Sequence, residues 1–132
     1  MTARLRLIRS GELSGDTAQT SGMRRDAAIS GAQVGAGELW MGRTVMPPGG
    51  ASGDHHHGRC ETGIYVVSGT PAFAFRDPES GEIVRVTTSP GDFVWVPPHL
   101  PHREENPSPD AEAVLVVARS TQEAIVVNLP GL

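Results

Sequence analysis

Proline and glycine break this chain so often that no long helix can run through it. Among 132 residues there are 16 Gly and 11 Pro. Proline removes a backbone donor and clashes with the preceding turn of a helix, and glycine weakens a helix by its freedom. Turn-forming clusters stand at Pro47-Pro48-Gly49-Gly50, Asp77-Pro78-Glu79-Ser80-Gly81, Ser89-Pro90-Gly91-Asp92 and Asn106-Pro107-Ser108-Pro109-Asp110. Short apolar or alternating runs predict strands over 4–9, 38–46, 55–57, 63–68, 71–76, 82–87, 92–96, 113–118 and 124–128. Residues 11–31, rich in Gly, Ser and Thr, read as loop. Short strands between regular turn signals predict an all-β sandwich or barrel. The length suits one core and not two. We therefore expect a single domain over 1–132, with 1–37 as an N-terminal strand and loop arm and 38–128 as the barrel.

Charge and hydropathy exclude several classes of function. The formal net charge is -4, and no cluster of basic residues offsets it. That argues against nucleic acid as a partner. No apolar run approaches the roughly 18 residues that a membrane-spanning helix needs, and the N-terminus lacks the apolar core of a secretory signal. The single Cys60 cannot form an internal disulfide. A cytoplasmic location and a small-molecule partner are the expectations.

The chemistry concentrates in Asp54-His55-His56-His57-Gly58-Arg59-Cys60-Glu61. Residues i and i+2 of a strand share a face, so His55 and His57 point one way and His56 the other. Two imidazoles with a carboxylate downstream form a partial ligand set for a divalent transition metal. The segment Gly91-Asp92-Phe93-Val94-Trp95-Val96-Pro97-Pro98-His99-Leu100-Pro101-His102 is a strand and a Pro-rich turn ending in histidine. It can deliver a third imidazole to the same place.

These two segments resemble the paired motifs of the cupin superfamily. The first family motif runs Gly, five residues, His-x-His, three or four residues, Glu, about six residues, Gly; Gly49, His55, His57, Glu61 and Gly69 fill it. The second runs Gly, five residues, Pro-x-Gly, two residues, His, three residues, Asn; Gly91, Pro97, His102 and Asn106 fill it, with His99 where the family has Gly. The resemblance implies a single jelly-roll β-barrel holding one divalent metal on His55, His57, Glu61 and His102. Zn or Fe leads, and Mn, Ni and Cu also suit such ligands. Counting back from Gly69 puts Thr62 rather than Glu61 at the ligand position. Neighbouring strand residues face opposite sides, so only one of the two can point inward; Glu61 is the favoured one because Thr is a poor ligand.

An open position on such a metal implies catalysis. Single-domain cupins of this kind include polyketide cyclases, sugar isomerases and dioxygenases. Lewis-acid cyclase or isomerase chemistry on a small organic or polyketide-like substrate is the leading expectation, with a non-haem iron dioxygenase or a non-catalytic binding module as alternatives. His99 and Tyr65 are candidate acid-base residues. Glu104 and Glu105 are expected at the barrel mouth. Trp40 and Trp95 are the aromatics best placed to line a pocket, and one of Arg43, Arg76 and Arg85 could turn inward to hold a carboxylate or phosphate. Residues Arg4 to Arg9 alternate like a strand that could add to a neighbouring copy, and small cupins are commonly homodimers, so a homodimer is expected.

Overall fold

The computed structural model describes residues 3–132. Among the described residues, ten strands form two antiparallel sheets of five. They are β1 (Arg24–Ile29), β2 (Trp40–Met46), β3 (His55–His56), β4 (Thr62–Ser68), β5 (Ala72–Arg76), β6 (Ile83–Thr87), β7 (Phe93–Val96), β8 (His102–Glu105), β9 (Ala113–Arg119) and β10 (Val127–Asn128). One sheet has the order β1-β2-β9-β4-β7 and the other β10-β3-β8-β5-β6. This is the jelly-roll barrel. A short α-helix, α1 (Gly31–Val34), follows β1; Ser30 caps it by accepting a hydrogen bond from Gln33 N. None of the described helices is long and apolar enough to cross a membrane.

Strand alternation builds the core. In β4, Thr62, Ile64 and Val66 are buried while Gly63, Tyr65 and Val67 are exposed. Ile64 and Val66 pack with Met46, Phe73, Val96, Ala113 and Leu115. Burying one such aliphatic or aromatic side chain stabilises the fold by about 1.5–3 kcal/mol, so this cluster is what holds the sheets face to face. Asn106 ties the same end: its buried amide donates to the carbonyls of Met46, Pro47 and Ala111. Gly69 has φ +81°, and a Cβ there would lie 2.8 Å from Ala113 Cα. Only glycine fits that turn at the end of β4.

Two sequence expectations fail at the N-terminus. Residues 4–9 form no strand; they lead into a 3₁₀ turn over Ser10–Glu12. The strand-addition route to a homodimer therefore loses its element. The first strand instead lies at Arg24–Ile29, inside the stretch expected to be loop. Its inward residues are Arg25 and Ala27, so apolar alternation is absent from the very face that is buried. At the other end, His102–Glu105 is a full strand, β8, rather than the tail of a turn.

Candidate metal centre

Strands β3 and β8 are neighbours, and His55 lies directly opposite His102 in their register. Opposed side chains on one face of a sheet stand within contact distance. His57 follows β3 on the same face as His55. The three rings lie 4.5–5.1 Å apart by centroid. Glu104 completes the group: ligand atoms of His55, His57, His102 and Glu104 all lie within 4.8 Å of one another.

Each imidazole is held by the backbone. Nδ1 of His55 donates to Gly53 O at 2.7 Å, Nδ1 of His57 to Ile125 O at 2.8 Å, and Nδ1 of His102 to Leu100 O at 2.9 Å. A carbonyl can only accept, so Nδ1 carries the proton in all three. The lone pair of each neutral ring is then on Nε2. Metal-binding imidazoles are typically oriented in this way by a second hydrogen bond. His102 Nε2 is buried and has no hydrogen-bond partner. Its distance to Glu104 Oε1 is 3.7 Å, an ionic approach rather than a hydrogen bond.

The electrostatics favour a cation. Burial pushes His57 down to about 4, so this ring is neutral at neutral pH. Burial also lowers His55. For His102, burial works downward but Glu104 outweighs it and raises the ring. Burial alone would raise the Glu104 carboxyl, yet the three surrounding histidines hold it at about 2. A buried carboxylate facing imidazole nitrogens, one of them unsatisfied, fits a divalent metal: the ion would replace the His102 proton and compensate Glu104.

The structure gathers three of the four expected ligands and replaces the fourth. Glu61 is exposed, and its carboxylate accepts a 2.8 Å hydrogen bond from Trp95 Nε1 on the outer face. Thr62 is the inward residue. Strand β4 is irregular between Val66 and Ser68, too far along to turn Glu61 inward. Glu104 takes its place because it is two residues from His102 on β8, where His102 and Glu104 are buried and Arg103 and Glu105 less so. The sequence carried that signal: His102-x-Glu104 repeats the spacing of His55-x-His57.

Other candidates lie away from the cluster. Tyr65 is on the outer face against Phe93, their ring centroids 4.8 Å apart. His99 is exposed, with φ 62°, in the left-handed region that explains the family's glycine at that point; its ring stands 5.9 Å from His56. Neither Tyr65 nor His99 lines the cavity beside the histidines. Arg43 pairs with Asp26 and Arg85 with Glu105, and Arg76 is exposed. Trp95 is exposed, while Trp40 is buried under Arg119, whose guanidinium carbon sits 4.1 Å from its ring centroid. Cys60 is buried in the cavity wall and outside the ligand cluster.

A family model described as "Cupin domain" matches residues 42–119. No curated protein sequence matches this chain. Among solved structures, the crystal structure of peruvianin-I, a cysteine peptidase from Thevetia peruviana latex, superposes with a TM-score of 0.74 at 17% identity, covering 96% of this chain and 78% of that one. Recombinant oxalate oxidase in complex with glycolate gives 0.71 at 21%, covering 89% and 60%. A mutant of Bacillus subtilis oxalate decarboxylase gives 0.71 at 18%, covering 84% and 29%. This chain thus spans less than two thirds of the oxidase and under one third of the decarboxylase. One fold carries three differently named activities, so at these identities the likeness speaks for architecture.

Proposed function

The chain belongs to the cupin family, and from that premise we propose that it is a divalent-metal-dependent enzyme acting on a small organic substrate by cyclase- or isomerase-type Lewis-acid chemistry. The observation that carries this reading is the convergence of three backbone-oriented imidazoles and one buried carboxylate, with one ligand atom of each within 4.8 Å of the others. A divalent cation held there would polarise a substrate carbonyl or enolate oxygen. Zn or Fe is the leading choice, and Mn, Ni or Cu would also accept a three-nitrogen, one-oxygen set.

The protein's own residues supply the rest. His57 stays neutral above about pH 4 and so presents a lone pair without first losing a proton. Glu104 remains ionised and offsets positive charge inside the barrel. Ile64, Leu115 and Val117 line the adjoining cavity and exclude bulk water. A low dielectric strengthens every charge interaction there. Among the described residues, Glu104 is the only carboxylate lining that cavity.

Redox chemistry on a small acid is the second reading, favoured by a ligand set that redox-active iron or manganese also accepts and by the oxalate-processing names borne by two proteins of the same fold. Reconstitution separates the two. Turnover restored to metal-free protein by redox-inert Zn²⁺ under argon establishes the Lewis-acid reading. Turnover only with Fe²⁺ or Mn²⁺ and oxygen overturns it.

A further inference from the structure

The two sheets do not close on each other between β6 and β7. Each is the last strand of its own sheet, and among the described residues no ladder pairs them. The consequence shows at Val86. It stands opposite Phe73 in the β5–β6 register, and Phe73 is a core residue, so both point inward. Yet Phe73 is 4% exposed and Val86 is 40% exposed. An inward valine left that open marks a place where the interior is not filled. Phe75, the next inward residue of β5, is also incompletely buried, as is Val94, which faces inward from β7 opposite Ile64.

Between these side chains lies an apolar cleft of about 320 Å³. Val86 and Trp95, the latter 63% exposed, stand at its mouth. Phe75 and Leu100 form its walls. His102, 2% exposed and directly opposite Phe75 in register, stands at its inner end. Among the described residues its imidazole is the only titratable group lining the cleft. The Trp95 N–H is already donated to Glu61. The walls therefore offer a charge no partner, and a charged group placed there would lose its hydration uncompensated. The volume lies within the range of small-molecule sites, roughly 300–1,000 Å³. A dry apolar cavity of roughly 150 Å³ takes up benzene, so this one has room for a fused pair of rings. The cavity beside His57 and Glu104, by contrast, holds about 30 Å³, room for a water or two.

We propose that this cleft binds an uncharged one- or two-ring apolar group of the substrate, packed against the His102 ring. This deepens the metal-enzyme reading and rests on it for the ligand's role as substrate; the binding itself needs only the cleft. Burial of apolar surface on Phe75, Val86 and Leu100 drives it. His102 joins the two places, since it is both a wall of the cleft and a member of the ligand cluster. A group seated on that ring stands one imidazole away from the cation that the cluster would hold.

The test is titration of the zinc-loaded protein with indole, a neutral fused ring pair, followed by calorimetry and by the NMR signals of the protein methyl groups, with polar glucose as control. Indole should bind with a Kd of roughly 0.1–1 mM and move the methyl signals of Val86 and Leu100; glucose should do neither. Val86→Asp places a charge in the cleft wall and should weaken indole by roughly 10-fold or more. Phe93→Ser alters the exposed outer face of β7 and should leave the affinity unchanged. In the cobalt-loaded protein, Co²⁺ should speed the relaxation of the bound indole protons, and Zn²⁺ should not. Absence of binding overturns the proposal, and so does binding that Phe93→Ser removes and Val86→Asp keeps, which would put indole on the outer face. Binding in the cleft without relaxation by cobalt overturns the contact with His102 and leaves the metal reading intact. Should the protein take up neither metal, the metal reading fails, and the cleft is judged by the same titration and the same two variants on the metal-free chain. Should Val86→Asp not fold, Val86→Thr exchanges one wall methyl for a hydroxyl and should weaken indole by roughly 2- to 5-fold; unchanged affinity there overturns the proposal.

Discussion

The barrel interior has two ends built on opposite principles. Around Met46, Val66, Phe73 and Ala113 it is apolar and close-packed. Around His55, His57, His102, Glu104 and Arg25 it is polar, ionisable and incompletely satisfied. The same strands supply both: β2 contributes Met46 to one and Thr44 to the other, and β4 contributes Val66 to one and Thr62 to the other. The apolar end gains from every contact. The polar end spends stability on orphaned donors and a buried charge. The first end makes a fold, and the second makes sense only with something bound.

The largest effect should come from removing ligands at the polar end. Metal-free protein given one equivalent of Zn²⁺ should retain about one ion per chain after desalting. His57→Ala and His102→Ala should retain almost none, with the metal-free protein still folded and its unfolding free energy lowered by about 1–3 kcal/mol, more for His102→Ala, which leaves the buried Glu104 carboxylate without its partner. Elemental analysis and urea unfolding check the two halves. Full occupancy in both variants would remove the metal centre from the argument.

At the apolar end the pattern should invert. Met46→Ala deletes a fully enclosed side chain and should cost about 2–5 kcal/mol by loss of transfer energy and creation of a cavity. Zinc occupancy of the folded fraction should stay near one. An equal loss of occupancy would mean that the two ends are one cooperative unit.

Acid should expose the polar end before the apolar one. His57 is held at about 4 when folded, against an ordinary 6.5. Between these values the unfolded chain binds more protons, so stability falls as pH drops from 6.5 towards 4, by about 3 kcal/mol at most for this ring. Glu104, held at about 2, adds a loss in the same direction from about 4.5 downwards. His102, raised by Glu104, works oppositely: its contribution is full below 6.5 and fades as pH rises through its folded value. Unfolding of the metal-free protein by urea at pH 7.5, 6 and 4.5 should show the net decline, and His57→Phe should flatten it.

Much of the apolar end was legible in the sequence. The runs at 63–68, 71–76 and 113–118 alternate or are continuously apolar, and the structure begins or ends each of them within about one residue of the expectation. The histidines were legible because a two-residue spacing needs only a strand to be meaningful. Glu104 was not, because an adjacent pair of glutamates gives no parity until the strand beneath it is known. Its pattern also competes with that of Glu61. The buried run Thr62, Ile64, Val66 could have settled Glu61 by alternation alone, had the strand been counted from its core rather than from the motif. Strand β1 was hidden because Arg25 occupies an inward position where a core residue would have signalled the strand.

The smallest effects come from the two glutamates, and together they decide the register. Glu104→Gln removes the only carboxylate of the cluster but keeps its shape, so zinc affinity should fall by roughly 10- to 100-fold, as loss of a ligand or its close support does. Metal-free stability should hold or rise, since a buried charge disappears. Glu61→Gln should leave zinc affinity unchanged. It alters only an exposed hydrogen bond from Trp95, and an amide oxygen can accept that bond as a carboxylate does. Stability should shift by less than about 0.5 kcal/mol, as for most surface substitutions. Competition with a chromophoric zinc chelator measures both affinities in one format. If Glu61→Gln loses zinc and Glu104→Gln keeps it, strand β4 is offset by one residue from the arrangement described above, and the polar end is built around the other carboxylate.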